Sequence, residues 1–391
     1  MQISLVSFTR LPSLTGLRFF AALGVFVCHA ALLTARDEGG WPPPVLFLLG
    51  AVGVSLFFVL SGFVLTLSAQ STDTARSFWR RRIAKIYPNH LVVWVALISL
   101  FRWAGMPRQD NELPHPAPSW LGDLANALLI NNLIPLPKFL FAGNPVTWSL
   151  TCELVFYLLF PLLIPMVMRL RQQWLLIAAI GAVAATWVIP LISLGLHGQL
   201  LPHGFMNGRL TAPQFGLVYG FPLSRLPEFI LGMTLARMHA NGSVGRIGVI
   251  PSVTLLAVCL PLGIAVLPAP FYFSAITIIP VALTVRAVAS GDAHGARSLL
   301  RTPGMVLLGN VSYAFYLVHA MILAVTLYYC SGWGAVTSAC VAFLVALVAS
   351  WLLYTLIERP CFQRLTTVNH RPSSQPKQIA QSPITEPSSQ G

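Results

Sequence analysis

This chain is poor in charge. Only 9% of its 391 residues are Asp, Glu, Lys or Arg, against about a quarter in soluble globular domains, and a water-facing surface cannot be assembled from so few. Acidic residues are the rarest of them, 11 against 24 Lys and Arg, for a net charge of +13. The excess cations are scattered through short segments between apolar blocks and gather into no single patch, which argues against nucleic acid as a partner. Cysteine is sparse as well. Cys28, Cys152, Cys259, Cys330, Cys340 and Cys361 have neither zinc-ligand nor CxxC spacing, so no disulfide framework is expected and all six read as free thiols packed like small apolar side chains. Internal repeats with a period of about 20 to 50 residues are missing too.

What the chain has instead is apolar length. Hydrophobic residues make up 56% of it and the mean hydropathy is +0.74, which places it among all-α, polytopic membrane proteins whose spans take about 20 residues each. Ten blocks qualify, at 15–35, 45–67, 88–103, 146–168, 174–194, 218–238, 249–267, 271–289, 306–329 and 335–357, and one bundle of about ten transmembrane helices is expected. With the N-terminus in the cytoplasm, the cations from Arg76 to Lys85, Arg169 and Arg171, Arg237 and Arg246, Arg297 and Arg301, and Arg359 and Arg364 all fall inside, while the outer loops are cation-poor. The positive-inside rule therefore predicts a multi-pass cell-membrane protein with both termini cytoplasmic. The first 35 residues imitate a signal peptide, but they carry Arg18 and His29 and lack a small-x-small end, so they are kept as a mature span. The longest outer loop, 104–145, ends in an apolar stretch at 133–141 expected to dip into the interface. The membrane domain is expected over residues 1–365, and residues 366–391, rich in Ser, Pro and Gln, as a disordered tail.

Ionisable residues at membrane depth are costly and point to function by default. Arg18 and His29 stand eleven residues apart in one apolar helix, within roughly 20° of the same face and about 16 Å apart along it. A neutral His29 bonded to a neighbouring helix, with Arg18 snorkelling, is the competing account. In Phe78-Trp-Arg-Arg-Arg-Ile-Ala-Lys-Ile-Tyr-Pro88, four cations precede a span. They serve topology by themselves, and Arg80 and Arg82 equally suit phosphates, which a guanidinium grips with two hydrogen bonds. In Trp148-Ser-Leu-Thr-Cys-Glu-Leu-Val-Phe-Tyr-Leu-Leu-Phe-Pro161, Glu153 is flanked by apolar helix and needs a proton, a buried Arg or a wet cavity. Ser149, Glu153 and Tyr157 share a face, whereas Cys152 points elsewhere and lacks an activating base. In Leu308-Gly-Asn-Val-Ser-Tyr-Ala-Phe-Tyr-Leu-Val-His319, Ser312, Tyr316 and His319 form one stripe. Ser and Tyr are common glue between membrane helices, and His319 is the member that packing explains least. Arg225 and Glu228 read as a local structural pair, and Glu358-Arg-Pro360 as the stop of the last helix.

As a set, these stretches resemble the acyltransferase-3 family of membrane O-acyltransferases. The resemblance rests on LTGLRFFAALGVFVCHA, GVSLFFVLSGFVL, FWRRRIAKIYP, WSLTCELVFYLLFP, LGNVSYAFYLVHA and the closing IERP, which run in the family's order from residue 14 to 360. It implies an acyl-CoA donor and a hydroxyl acceptor, often on a sugar. Carried over residue by residue, Arg18 and His29 form the Arg-x10-His pair, Arg80 and Arg82 the arginine motif, and Glu153 the acidic position. Two departures stand out. Ser55 replaces an acidic residue that many members carry after GV, which puts any role of that acid in doubt here, and Cys152 sits where Val or Glu is common. RFFAAL and GVSLFFVLSGFVL look more like the members that acylate macrolide antibiotics, which lack the esterase-like domain appended in some members that modify surface polysaccharides.

The resemblance thus implies an enzyme that moves a short acyl group from acyl-CoA to a hydroxyl of a sugar or polyketide such as a macrolide, in antibiotic tailoring. His29 would take the acceptor proton, and Glu153 would orient and charge-stabilise His29 like the third member of a triad. Arg18, Arg80 and Arg82 would hold the donor phosphates. His319 with Tyr316, and Ser149 and Tyr157 from the acidic helix, would position the acceptor or the thioester carbonyl. Span arithmetic puts His29, His319 and Glu153 at similar depths, so they are expected to converge on one cavity open to the cytoplasmic arginines. No metal and no permanently bound cofactor are implied. The expected partners are acyl-CoA, the hydroxylated acceptor and the lipid bilayer. Soluble acyl-transfer signatures, HHxxxDG and GxSxG, do not occur. Competing functions are O-acetylation of a cell-surface polysaccharide or glycolipid, and a small-molecule transporter, which would favour internal symmetry and broken helices.

Overall fold

Long apolar runs leave the backbone N–H and C=O groups no partner in a bilayer except one another, so they fold as helices. The computed structural model describes residues 11–37, 42–70, 72–103, 119–134, 139, 142–201, 206, 209–242 and 248–366. In chain order the helices are α1 (Pro12–Asp37), α2 (Pro44–Ser68), α3 (Ala75–Ile98), the short α4 (Trp120–Ala127), α5 (Trp148–Arg169), α6 (Gln172–Ser193), the single-turn α7 (Ala212–Phe215), α8 (Pro222–Ala240), α9 (Val249–Val266), α10 (Ile278–Ala293), α11 (Pro303–Tyr329), α12 (Ala335–Leu353) and α13 (Arg359–Thr366). Among the described residues β-pairing is confined to one isolated bridge, Leu200 with Thr211, and nine segments are long and apolar enough to cross a membrane. The expected span at 218–238 is α8. It carries Arg225, Glu228 and Arg237 and packs against α2, α5, α6 and α10, so protein surrounds its polar groups.

Small residues set how closely these helices approach. A Cβ at Gly62 of α2 would strike the Phe229 carbonyl oxygen of α8, and one at Gly232 of α8 would strike that of Val59 on α2. Each helix thus seats its glycine on the other's backbone, the close approach that small residues permit in membranes. Gly309 of α11 does the same against the Thr15 carbonyl of α1. Inside the α2–α8 contact, Arg225 lies 3.0 Å from Glu228, both fully buried. Arg225 Nη2 also donates to Ser55 Oγ at 3.0 Å, so Ser55 faces a guanidinium that already has its own carboxylate.

Three boundaries differ from the sequence expectation. The span expected from Pro88 belongs to α3, which starts at Ala75 behind Thr74, whose side chain accepts the Ser77 N–H at 3.2 Å. Pro88 removes a single donor from this helix, a loss that membrane helices tolerate. The cations expected ahead of the span therefore lie on the helix itself. At the other end, Glu358-Arg-Pro360 does not stop the last helix. A π-helical turn, Tyr354–Glu358, leads into α13, and Pro360 withholds one donor from the continuous helix, a loss that membrane helices tolerate. Glu358 turns inward, ion-pairs with Lys85 and accepts from Asn89 Nδ2 at 2.6 Å, fastening this helix to α3. The loop 104–145 contains α4, begun by Ser119 accepting the Gly122 N–H at 3.0 Å and held by Arg102 to Asp123 at 2.5 Å. Most of the stretch 133–141 and the tail from 367 lie outside the described residues. All six cysteines are free thiols.

Candidate active site

Two helices bring the histidines together. α1 and α11 run side by side, closed up at Gly309, and His29 Nδ1 lies 3.1 Å from His319 Nε2 with the ring centroids 5.0 Å apart. His29 Nδ1 is also 3.0 Å from the Val25 carbonyl oxygen. His319 Nδ1 is 2.7 Å from the Tyr316 carbonyl and 3.2 Å from that of Phe315. Phe26 and Phe315 pack on His319 and on each other from the same two helices. His319 is wholly enclosed, whereas His29 is half-buried.

α5 supplies the opposite wall. Its i, i+4, i+8 face carries Ser149, Glu153 and Tyr157 into a cleft of about 930 Å³, counted to its open mouth, which Arg18, Arg82, Lys85, Asn310, Tyr313 and Tyr316 also line. The Tyr157 hydroxyl donates to Glu153 Oε2 at 3.0 Å, and Trp79 Nε1 fixes the Tyr157 carbonyl at 2.9 Å. The Tyr316 hydroxyl donates to the Val146 carbonyl at 2.8 Å. Its single proton is then spent, so Ser149 Oγ, 2.7 Å away, donates to it. Phe57, Phe58, Val54 and Leu150 give the cleft an apolar lining. A second, solvent-open hollow of about 1120 Å³ shares Leu65 and Arg82 with the first and is edged by Asp73, Phe78 and Arg81. Arg82 lies against the Phe78 and Tyr157 rings, and its Nε is buried without a hydrogen-bond partner.

The single cavity expected from the sequence divides into two adjoining groups, because Glu153 lines the cleft and neither histidine does. His29 meets His319; Arg18, Arg82, Glu153, Ser149, Tyr157 and Tyr316 meet in the cleft. Glu153 takes its hydrogen bond from Tyr157, and the partners of His29 are Val25 and His319. Tyr316 joins the groups, its ring centroid 5.7 Å from that of His319 and its hydroxyl on the cleft side against Ser149. Arg80 is exposed on α3, and Arg81 takes a place in the outer hollow beside Asp73, 2.8 Å away. Sequence reasoning passed over Lys85, Asn310 and Tyr313 as site residues. Continuing the helix back from Pro88 would have found Lys85, which falls three residues after Arg82 on one face.

The family model described as an acyltransferase domain matches residues 11–355. Acyltransferase MdmB of Streptomyces mycarofaciens is 37% identical over 91% of this chain and 92% of its own length. O-acetyltransferase OatA of Staphylococcus aureus is 27% identical over 90% of this chain and 57% of its own length, so the chain spans little more than half of that relative. No solved structure matches.

Proposed function

Because the chain belongs to the acyltransferase-3 family, we propose that it transfers a short acyl group from acyl-CoA to a hydroxyl of a sugar-bearing natural product such as a macrolide. The supporting observation is one line of groups. Arg81 and Arg82 edge the outer hollow, Arg18 and Glu153 line the cleft behind it, and Tyr316 leads on to His319 and His29. The unpartnered Nε of Arg82 suits a phosphate oxygen of the donor. Arg18 lies about 16 Å along α1 from His29, a distance an extended pantetheine arm covers. The apolar upper cleft suits the arm and a hydrophobic acceptor.

In the reaction His29 takes the proton of the acceptor hydroxyl as its oxygen attacks the thioester carbonyl. The C–S bond breaks, and the leaving thiolate takes the proton from His29, giving the ester and free CoA. The chain of hydrogen bonds from Ser149 to Tyr316 to the Val146 carbonyl holds the polar wall of the cleft beside the reacting groups. Glu153 offsets part of the positive charge that Arg18 and Arg82 bring to the cleft. The arginine end faces the cytoplasm, where acyl-CoA is supplied, and both termini lie on that side. The O-acetyltransferase name of one relative favours acetyl as the acyl group and gives weight to a second acceptor class, a surface polysaccharide or glycolipid. Purified full-length protein, given acetyl-CoA or propionyl-CoA and a macrolide with a free sugar hydroxyl, should release CoA thiol and raise the macrolide mass by one acyl group. Transfer to polysaccharide with the macrolide left unmodified would establish the second acceptor, and no thiol release with either would defeat the reading.

A further inference from the structure

With both rings neutral, the carbonyl oxygens around the two imidazoles admit one arrangement of protons. A carbonyl oxygen only accepts, so His319 Nδ1, 2.7 Å from the Tyr316 carbonyl, carries a hydrogen. The neutral His319 ring then has a bare lone pair on Nε2. His29 Nδ1, 3.0 Å from the Val25 carbonyl, carries a hydrogen for the same reason, and that N–H also points at His319 Nε2, 3.1 Å away. Its bond is shared between the two acceptors. One nitrogen remains. His29 Nε2 is left as a free lone pair on the half-buried ring, while His319 is enclosed and held at its other nitrogen.

From this geometry we infer that His319 is the positioning residue for His29: sharing the Nδ1–H with the Val25 carbonyl, it holds the ring so that the bare Nε2 is presented to the acceptor hydroxyl, and it accepts the charged Nδ1–H once His29 has been protonated. The inference rests on the reading of His29 as the base. It assigns to an imidazole the orienting role that the sequence suggests for Glu153, and it leaves Glu153 to the cation-lined cleft. A base held in the wrong tautomer has no lone pair at the reacting atom, which is why the orienting partner matters in triads of this kind. The rings packed on His319, Phe26, Phe315 and Tyr316, are neutral, and the His319 Nε2 lone pair joins the Val25 carbonyl in accepting from the charged His29 ring. The proton taken by His29 goes to the leaving thiolate, and His319 ends the cycle unchanged.

Two measurements on the full-length protein in detergent test this. The first needs no substrate: 15N NMR of histidine-labelled protein, with His29→Gln to assign the signals, should show His29 protonated at Nδ1 and bare at Nε2. In His319→Leu the Val25 carbonyl still accepts from Nδ1, so the hydrogen should stay there while the His29 Nδ1 signal shifts through loss of its second acceptor. A wild-type His29 carrying its hydrogen on Nε2 would overturn the inference. The second is transfer from acetyl-CoA to the macrolide acceptor. His319→Leu should lower kcat about 10²–10⁴-fold with the KM for acetyl-CoA unchanged, and His319→Gln, whose Oε1 can accept from His29, should regain at least tenfold. Wild-type kcat in His319→Leu, or a Gln variant no better than Leu, would overturn it. If the wild-type protein transfers no acyl group, the proposed function falls, while the NMR result still decides the tautomer.

Discussion

Residues two apart on a helix point to nearly opposite sides, about 200° from one another, and Arg80 and Arg82 are divided accordingly. Arg82 faces both hollows, and Arg80 faces out. Arg82→Gln should therefore raise the KM for acetyl-CoA by about 10–100-fold, the worth of a charge-assisted hydrogen bond, while Arg80→Gln should stay within about twofold; steady-state kinetics on the two proteins separates them. His29→Ala should lower kcat about 10²–10⁴-fold at unchanged membrane levels, and full activity would return His29 to a packing role. The eleven-residue spacing of Arg18 and His29 was legible because both lie within one continuous helix. The pairing of Arg80 with Arg82 was not, since the choice between them depends on whether the backbone there is loop or helix. Contacts such as Ser149 with Tyr316, which join helices 167 positions apart, leave no mark in local spacing at all.

Helix contacts, more than single side chains, hold the two histidines in register. Gly309 lets α11 rest on the α1 backbone at Thr15, whereas Gly304, in the first turn of the same helix, faces open space. Gly309→Val should force the helices apart, cost about 1–3 kcal/mol of stability as overpacking does, and abolish transfer. Gly304→Val should be near wild type in both respects, and thermal unfolding in detergent together with the transfer assay checks the pair. Most helices were legible from apolar runs of membrane length. The errors cluster at prolines. Pro88 and Pro360 look like boundaries in a sequence, yet α3 passes through the first and α13 takes the second in its opening turn. What overrides them is tertiary: Glu358 clamps Lys85 and Asn89 across both sites, a contact between segments 273 residues apart in the case of Lys85. α4 was missed for a different reason, being shorter than a membrane span and amphipathic, with Asp123 turned inward and Trp120 outward.

At the scale of the molecule, the scarcity of charge was enough to place the chain in a membrane and make it all-helical, and the alternation of cations predicts which way it threads. Single-cysteine variants Trp120→Cys and Arg171→Cys, made in a background without the native thiols, should be labelled by a membrane-impermeant maleimide from opposite sides, Arg171→Cys only from the cytoplasm. Labelling of both from one side would overturn the proposed orientation. The enclosed ion pair of α8 bears on how such a molecule is made. Each charge at the centre of a lone helix opposes partition into lipid by about 2.5–3.5 kcal/mol, so a helix with Arg225 and Glu228 gains little by leaving the translocon alone. Its polar partner Ser55 was synthesised 170 residues earlier, on the helix whose glycine face α8 covers. The first half of the chain is therefore expected to sit in the membrane with that groove unfilled, a template on which a poorly hydrophobic helix can be drawn out of the insertion channel.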